Sequence, residues 1–170
     1  LYEISAGQRR TVVPFEEIPQ FLKDATITIE DEAFYEQPGV DWRAILRALL
    51  ANLRHGRIVQ GGSTISQQLA KNAFLTPEQT ITRKLKEFLL ALQLNRRYSK
   101  DQILGFYLNE IPYGPTAYGV EAASQTYFGK SVRDLNLAES ALLAALPKAP
   151  SYYSPWGSHK KELFARQQFI

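Results

Sequence analysis

The sequence predicts a mainly α-helical single domain. Three observations carry that expectation. Apolar residues recur at three- and four-residue spacing through most of the chain, Pro and Gly punctuate the stretches locally, and alternation of apolar with polar residues is confined to the start. A length of 170 residues is enough to bury one substantial core. There is no internal repeat, low-complexity tract or long linker.

The lead from Leu1 to Pro14 alternates Tyr2, Ile4 and Ala6 with polar residues and reads as a strand or turn. Helix signals begin at Pro19. Further helices are expected over Asp41 to Arg54, Thr64 to Asn72, Pro77 to Asn95, Ser99 to Asn109, Tyr118 to Tyr127 and Leu137 to Leu146, with a last helical-looking stretch, HKKELFARQQFI, at the end. The breaks between them fall at Pro38-Gly39, Gly61-Gly62, Thr76-Pro77, Pro112 to Pro115 and Pro147 to Pro155. The Gly56 to Gly62 segment is expected to be a mobile loop.

Composition narrows the partners. An apolar share of 45% and a charged share of 22% are ordinary for a globular domain, while nine Tyr among 12% aromatic residues fit amphipathic surface, a membrane interface included. A net charge of +3 with no dense Lys/Arg tract beside stacking aromatics excludes a nucleic-acid binder. Without Cys there is no disulfide or thiolate chemistry. No stretch approaches the ~18 consecutive apolar residues of a spanning helix. The chain lacks an initial Met and stops inside a helical pattern, so it reads as a piece of a longer, membrane-anchored protein.

The run RKLKE, Arg83 to Glu87, lies on the polar face of an amphipathic helix. Leu85, Phe88, Leu89 and Leu92 fall on another face. Two cations beside a carboxylate suit a phosphate leaving group, because Arg and Lys donors stabilise its charge and the carboxylate orients them or a metal. The same spacing also describes a solvated i,i+4 pair. On the helix entering EDEAFYEQPGVD, Leu22, Ala25, Ile29 and Ala33 cluster, with Glu30 roughly 80° from Leu22 and Asp31 at about 180°. Glu30 therefore sits on the apolar side and Asp31 on the polar side. Apolar walls adjust a carboxylate for acid/base work, whereas a solvated one stays ionised. A snorkelling Glu at a helix end is the plainer alternative, and Lys23 on nearly the same stripe weakens the angular argument.

In GGSTISQQLAKN, Gly61 to Asn72, Thr64 and Gln67 are spaced as a capping box. Thr64, Gln68 and Lys71 share one face, where backbone N–H groups and an ammonium can converge on an anion. An ordinary cap on a short helix explains the same residues, and the spacing is not that of a nucleotide P-loop. The helix DWRAILRALLANLRHG places Arg43, Arg47 and Arg54 opposite Trp42, Ile45, Leu46, Leu49, Leu50 and Leu53, a pattern suited either to a bilayer interface or to core packing. With Cys absent, no nucleophile triad competes, and His55 and His159 fall in a predicted loop and tail.

Taken in order, EDEAFYEQPGVD, GGSTISQQLAKN, RKLKE, KDQILGFYLNEIPYG and YGVEAASQTYFGKSVRDLNLAESALLAALPKAPSYYSP resemble the ordered motifs of the peptidoglycan glycosyltransferases, the domain of class A penicillin-binding proteins and monofunctional transglycosylases. The resemblance covers roughly Ala25 to Pro155. It implies a mainly α, lysozyme-like fold with a globular lobe and a smaller membrane-associated lobe, one such domain filling residues 1–170. It implies lipid II as substrate, β-1,4 glycan strands as product, inversion at C1 and release of undecaprenyl pyrophosphate. Glu30 then matches the general base. Lys71, Arg83 and Lys84, with Gln68 nearby, match the pyrophosphate-binding positions, and Asp31 and Thr64 are expected to bind substrate with them. Glu87 matches the second essential carboxylate, acting on the pyrophosphate directly or through a divalent cation such as Mg or Mn; no organic cofactor is implied. The partners implied are the growing lipid-linked chain and the outer face of the bacterial cytoplasmic membrane, with a transpeptidase domain downstream in class A members.

Gln37, Gln79, Phe88 and Gly105 depart from the family pattern, where His, a basic residue, a small residue and Glu are usual. None is a proposed catalytic group. The alternatives are a lysozyme-like hydrolase with Glu30 as proton donor, which has no use for the cations, and a silent lipid-carrier-binding module, which has no use for both carboxylates.

Overall fold

The computed structural model describes residues 11–37, 63–76 and 80–170, and the regular elements among them are all helical. They are α1 (Gln20–Glu30), α2 (Ile65–Phe74), α3 (Ile81–Arg97), α4 (Lys100–Glu110), α5 (Val120–Phe128), α6 (Leu137–Ala145) and α7 (Lys160–Phe169), with 3-10 turns at Phe15–Glu17 and Val132–Asp134. An isolated antiparallel bridge joins Pro112 to Tyr118. The expected helix over Asp41 to Arg54, the loop over Gly56 to Gly62, Gln79 and the first part of the lead lie outside the described residues. Thr11 to Pro14 carries no regular element.

Local chemistry sets the helix starts. Three capping boxes begin helices: Thr64 with Gln67 at α2, Ser99 with Gln102 at α4, and Asn136 with Glu139 at α6. In each, the cap oxygen accepts a backbone N–H and the later side chain returns the bond, satisfying donors that have no partner within the helix. At α6 the cap is reinforced by Lys130, 2.8 Å from Glu139, and this hydrogen bond is the chief reason the Glu139 carboxyl lies below its usual range. α3 starts at Thr80, whose hydroxyl accepts from Arg83 N at 3.1 Å, and α5 is bounded by two glycines of positive φ, Gly119 and Gly129.

α4 is the helix around which the others gather. Ile103, Leu104, Tyr107 and Leu108 have no exposed surface, and α4 packs against α2, α3, α5 and the Phe15 turn. The extended segment before that turn is held by one side chain, since Asn109 accepts from Val13 N at 2.9 Å and donates to Val13 O at 3.0 Å. α1 lies on α6, α6 also carries α7, and α2 packs between α3 and α4. Lys23, awkward on the apolar stripe of α1, is buried with its ammonium 4.0 Å from the centre of the Phe15 ring, a cation over an aromatic face.

α3 departs from the amphipathic expectation. Its buried stripe is Glu87, Ala91 and Leu94, whereas Leu85 and Leu89 are 58% and 49% exposed. Periodicity defines faces without saying which one turns inward. Here the charged face does, because its carboxylate and cations neutralise one another beside α2.

Gly105 and Gly119 separate two uses of glycine. A Cβ on Gly105 would meet the Phe15 ring at 3.4 Å, an ordinary contact, so Gly105→Ala should raise stability by about 0.5–1 kcal/mol through helix propensity. At Gly119, φ is +77° and a Cβ would lie 2.5 Å from Asn109 O, so Gly119→Ala should destabilise the domain. Urea unfolding of both variants checks the opposite signs.

Candidate active site

Glu30 is the last residue of α1, and its side chain is only 8% exposed. Its two oxygens are held from opposite sides. Arg166 Nη2, on α7, donates to Oε1 at 2.9 Å, and Gln68 Nε2, on α2, donates to Oε2 at 2.8 Å. Gln68 is oriented in turn by Tyr107, whose hydroxyl donates to Gln68 Oε1 at 3.2 Å. The wall is therefore more polar than the apolar stripe implied. Tyr107 and Tyr113 are both fully buried, and burial, reinforced by the charge of Glu30, pushes both hydroxyls well above the usual tyrosine range. The Tyr113 hydroxyl has no hydrogen-bond partner among the described residues.

Asp31 does not continue the helix. With φ −163° it leaves α1, and its carboxylate turns to α2, accepting from Ile65 N at 3.1 Å and from the Gln37 side chain. A carboxylate at the first turn of a helix is favoured by the partial positive charge there. The half-buried Asp31 therefore joins the end of α1 to the start of α2, which sets Glu30 against Gln68 instead of presenting a solvated second acid. Gln37, standing where His is usual, completes this joint: its carbonyl accepts from Lys100 Nζ at 2.6 Å. Burial, opposed by the charge of Asp31, lowers the Lys100 ammonium from the usual lysine range.

Thr64 is buried, and its hydroxyl accepts from Gln67 N at 3.3 Å. Since Ile65 N bonds Asp31 and Gln67 N bonds Thr64, the α2 N-terminus spends donors on the fold itself.

The side-chain cations lie on α2 and α3. Glu87 is 1% exposed, and its oxygens are engaged by Arg83, through Nη1, and by Lys84, whose Nζ is 2.6 Å away. A charge this buried costs several kcal/mol unless it is compensated, which the two cations accomplish. Lys84 Nζ also donates to Ser63 Oγ at 3.0 Å, and Arg83 Nε is buried with no hydrogen-bond partner among the described residues. Lys71, one turn beyond Gln68 on α2, feels both acidic residues. Although the residue as a whole is exposed, desolvation of its ammonium is the largest influence and pulls it below the usual lysine value; Lys84 and Arg83 act the same way, while Glu87 and Glu30 oppose. The Glu30 and Glu87 groups meet at Ser63, whose carbonyl accepts from Gln68 Nε2 at 3.4 Å and whose hydroxyl accepts from Lys84 Nζ.

Among the described residues no group of three His, Cys, Asp or Glu side chains comes together to hold a metal.

Sequence reasoning missed Arg166 and Tyr107. Arg166 sits in a segment without clear periodicity and meets Glu30 across 136 residues, while Tyr107 lies inside a quoted motif whose apolar neighbours made it core.

The family model described as Transglycosylase matches residues 1–170. Penicillin-binding protein 1A of Aquifex aeolicus is 51% identical over 170 residues, 100% of this chain and 23% of that protein. Penicillin-binding protein 1F of Bacillus subtilis is 49% identical over 148 residues, 87% of this chain and 21% of the relative, and penicillin-binding protein 1B of Haemophilus influenzae is 47% identical over 166 residues, 95% and 21% respectively. The chain thus spans less than a quarter of the length of these relatives. With the family model matched from end to end, the chain belongs to the transglycosylase family and is an enzyme domain of the glycosyltransferase class.

Proposed function

We propose that this domain polymerises lipid II into β-1,4 glycan strands at the outer face of the bacterial cytoplasmic membrane, inverting at C1 and releasing undecaprenyl pyrophosphate. The observation that carries the reading is Ser63, whose carbonyl accepts from Gln68 Nε2 at 3.4 Å and whose hydroxyl accepts from Lys84 Nζ at 3.0 Å, so that a partner of Glu30 and a partner of Glu87 meet on one residue. It links a base to a cluster of cations.

The division of labour follows from the reactants. A sugar hydroxyl is protonated at neutral pH and a poor nucleophile, whereas a pyrophosphate is a good leaving group whose charge needs stabilisation. Glu30 takes the proton of the acceptor 4-hydroxyl as that oxygen attacks donor C1. The bond from C1 to the pyrophosphate oxygen breaks, and the departing charge is received by Lys71, Arg83 and Lys84. Glu87 holds Arg83 and Lys84 in place. Among the described residues Arg83 Nε has no hydrogen-bond partner, which leaves that guanidinium with donor capacity for a phosphate oxygen. A general base contributes ~10²- to 10⁴-fold, and pre-placed cations add to it where water is excluded.

Membrane association is supported by Phe74 at the end of α2 and by Leu85 and Leu89 on α3, apolar side chains left exposed beside the cationic groove. No helix among the described residues is long and apolar enough to cross a membrane. An anchor and a transpeptidase domain elsewhere in the parent protein complete the proposal. A lysozyme-like hydrolase is disfavoured by the cations, because a neutral glycosidic leaving group does not call for them. A silent lipid-binding module is disfavoured by the buried, held Glu30.

Incubation with lipid II, detergent and a divalent cation separates the readings into polymer, shortened glycan, or bound but unchanged substrate. Glu30→Gln should abolish polymer and leave lipid II binding largely intact; persistent polymer would show that Glu30 is not the base. A second expectation concerns pH. Lys71 must be protonated to receive the pyrophosphate, and its proton is held less tightly than at the usual lysine value of 10.5. The alkaline limb of kcat/KM should therefore lie below that value, and Lys71→Arg, which keeps its charge, should move the limb to higher pH. An unmoved limb would assign it to another group.

A further inference from the structure

Arg166 belongs to none of the motifs that carry the family resemblance, yet it makes the structure's longest-range contact with Glu30. Its side chain is 14% exposed and restrained at three points. Nε donates at 3.1 Å to the carbonyl of Ala145, the last residue of α6. Nη2 donates at 2.9 Å to Glu30 Oε1, and the Tyr153 ring lies 5.8 Å from the guanidinium carbon. A helix-terminal carbonyl lacks a partner within its own helix and carries partial negative charge, which makes it a natural anchor for a cation. Because the guanidinium is planar, fixing Nε on Ala145 also fixes where Nη2 points.

Glu30 needs this restraint. The last torsion of a glutamate side chain is broad, so one hydrogen bond leaves the carboxylate plane free to rotate. Gln68 holds Oε2, with its own amide orientation set by the buried Tyr107 hydroxyl. Arg166 holds Oε1 from the opposite side. Together they fix the plane, and since a carboxylate oxygen accepts more than one hydrogen bond, a lone pair remains for an incoming hydroxyl. The cation also offsets the cost of keeping Glu30 charged beside two buried tyrosines.

We infer that Arg166 is a positioning residue for the catalytic base: it clamps Glu30 against Gln68 and fixes the direction from which the acceptor hydroxyl is deprotonated. This rests on the reading of Glu30 as base. Arg166 acts through Glu30, so its loss affects turnover and spares substrate binding. It also gives α7 a role in the chemistry. Leu163 is the sole buried residue of that helix, and the other side-chain tether to α6 is Gln167 Nε2 to Ala138 O, 2.7 Å.

The test is steady-state polymerisation of lipid II by Arg166→Ala, Arg166→Lys, Glu30→Gln and Gln167→Ala. A displacement of about 1 Å in a reacting group can cost on the order of 10²-fold, so kcat of Arg166→Ala should fall by about that factor with KM nearly unchanged. Arg166→Lys should recover part of the loss, because an ammonium keeps the charge without the fork. Added ethylguanidinium, well below denaturing concentration, should restore Arg166→Ala and leave Glu30→Gln inactive. Gln167→Ala loosens α7 without touching Glu30 and should turn over like the parent, which separates positioning from loss of the helix. A tenfold rise in KM at unchanged kcat would make Arg166 a substrate-binding residue and overturn the inference. So would full activity of Arg166→Ala while Glu30→Gln is inactive. Polymer from Glu30→Gln would overturn the assignment of the base and this inference with it.

Discussion

Compensation of buried negative charge organises this groove. Glu87 has almost no exposed surface, and Glu30 little more, so each must be met by cations or donors, from its own helix or from another element. Glu87 draws Arg83 and Lys84 from its own helix and faces α2; Glu30 draws Gln68 from α2 and Arg166 from α7. α2, wedged between α3 and α4, is the element common to both. Its position is fixed by the Thr64 capping box and by the Asp31 carboxylate at its first backbone N–H.

This requirement explains why α3 turns its charges inward. A helix that buried Leu85 and Leu89 would gain apolar burial on the order of 1.5–3 kcal/mol for each and would lose the cationic wall. The observed orientation gives up that gain, and the leucines are exposed next to the groove. Stability is recovered elsewhere, chiefly in α4, whose Ile103, Leu104, Tyr107 and Leu108 are wholly enclosed.

Features governed by short-range spacing were legible in the sequence. The Thr64 and Gln67 box, and the starts near Ser99 and Leu137, depend on groups three residues apart and appear where expected. The angular separation of Glu30 from Asp31 was legible in part: Glu30 is enclosed as its stripe implied, but the helix ends there, so Asp31 follows loop geometry. Periodicity could not say which face of α3 is buried. Nor could it pair Glu30 with Arg166, since nothing local to HKKELFARQQF distinguishes that arginine from a solvated one. The pairing of Glu30 with Glu87 came from motif order, through family resemblance, and its physical expression is the lysine between them.

That lysine offers the most direct test of the account. The claim is that two acidic residues far apart in sequence act on one ammonium across a shared groove. Titration of Lys71 by NMR, following its side-chain resonances in the parent and in Glu30→Gln and Glu87→Gln, measures this without any substrate. Both carboxylates now raise the lysine against the larger effect of desolvation, with Glu87 the stronger. Both substitutions should therefore lower the Lys71 pKa further, Glu87→Gln by more. A Lys71 titration that responds to one substitution and not to the other would contradict a common groove.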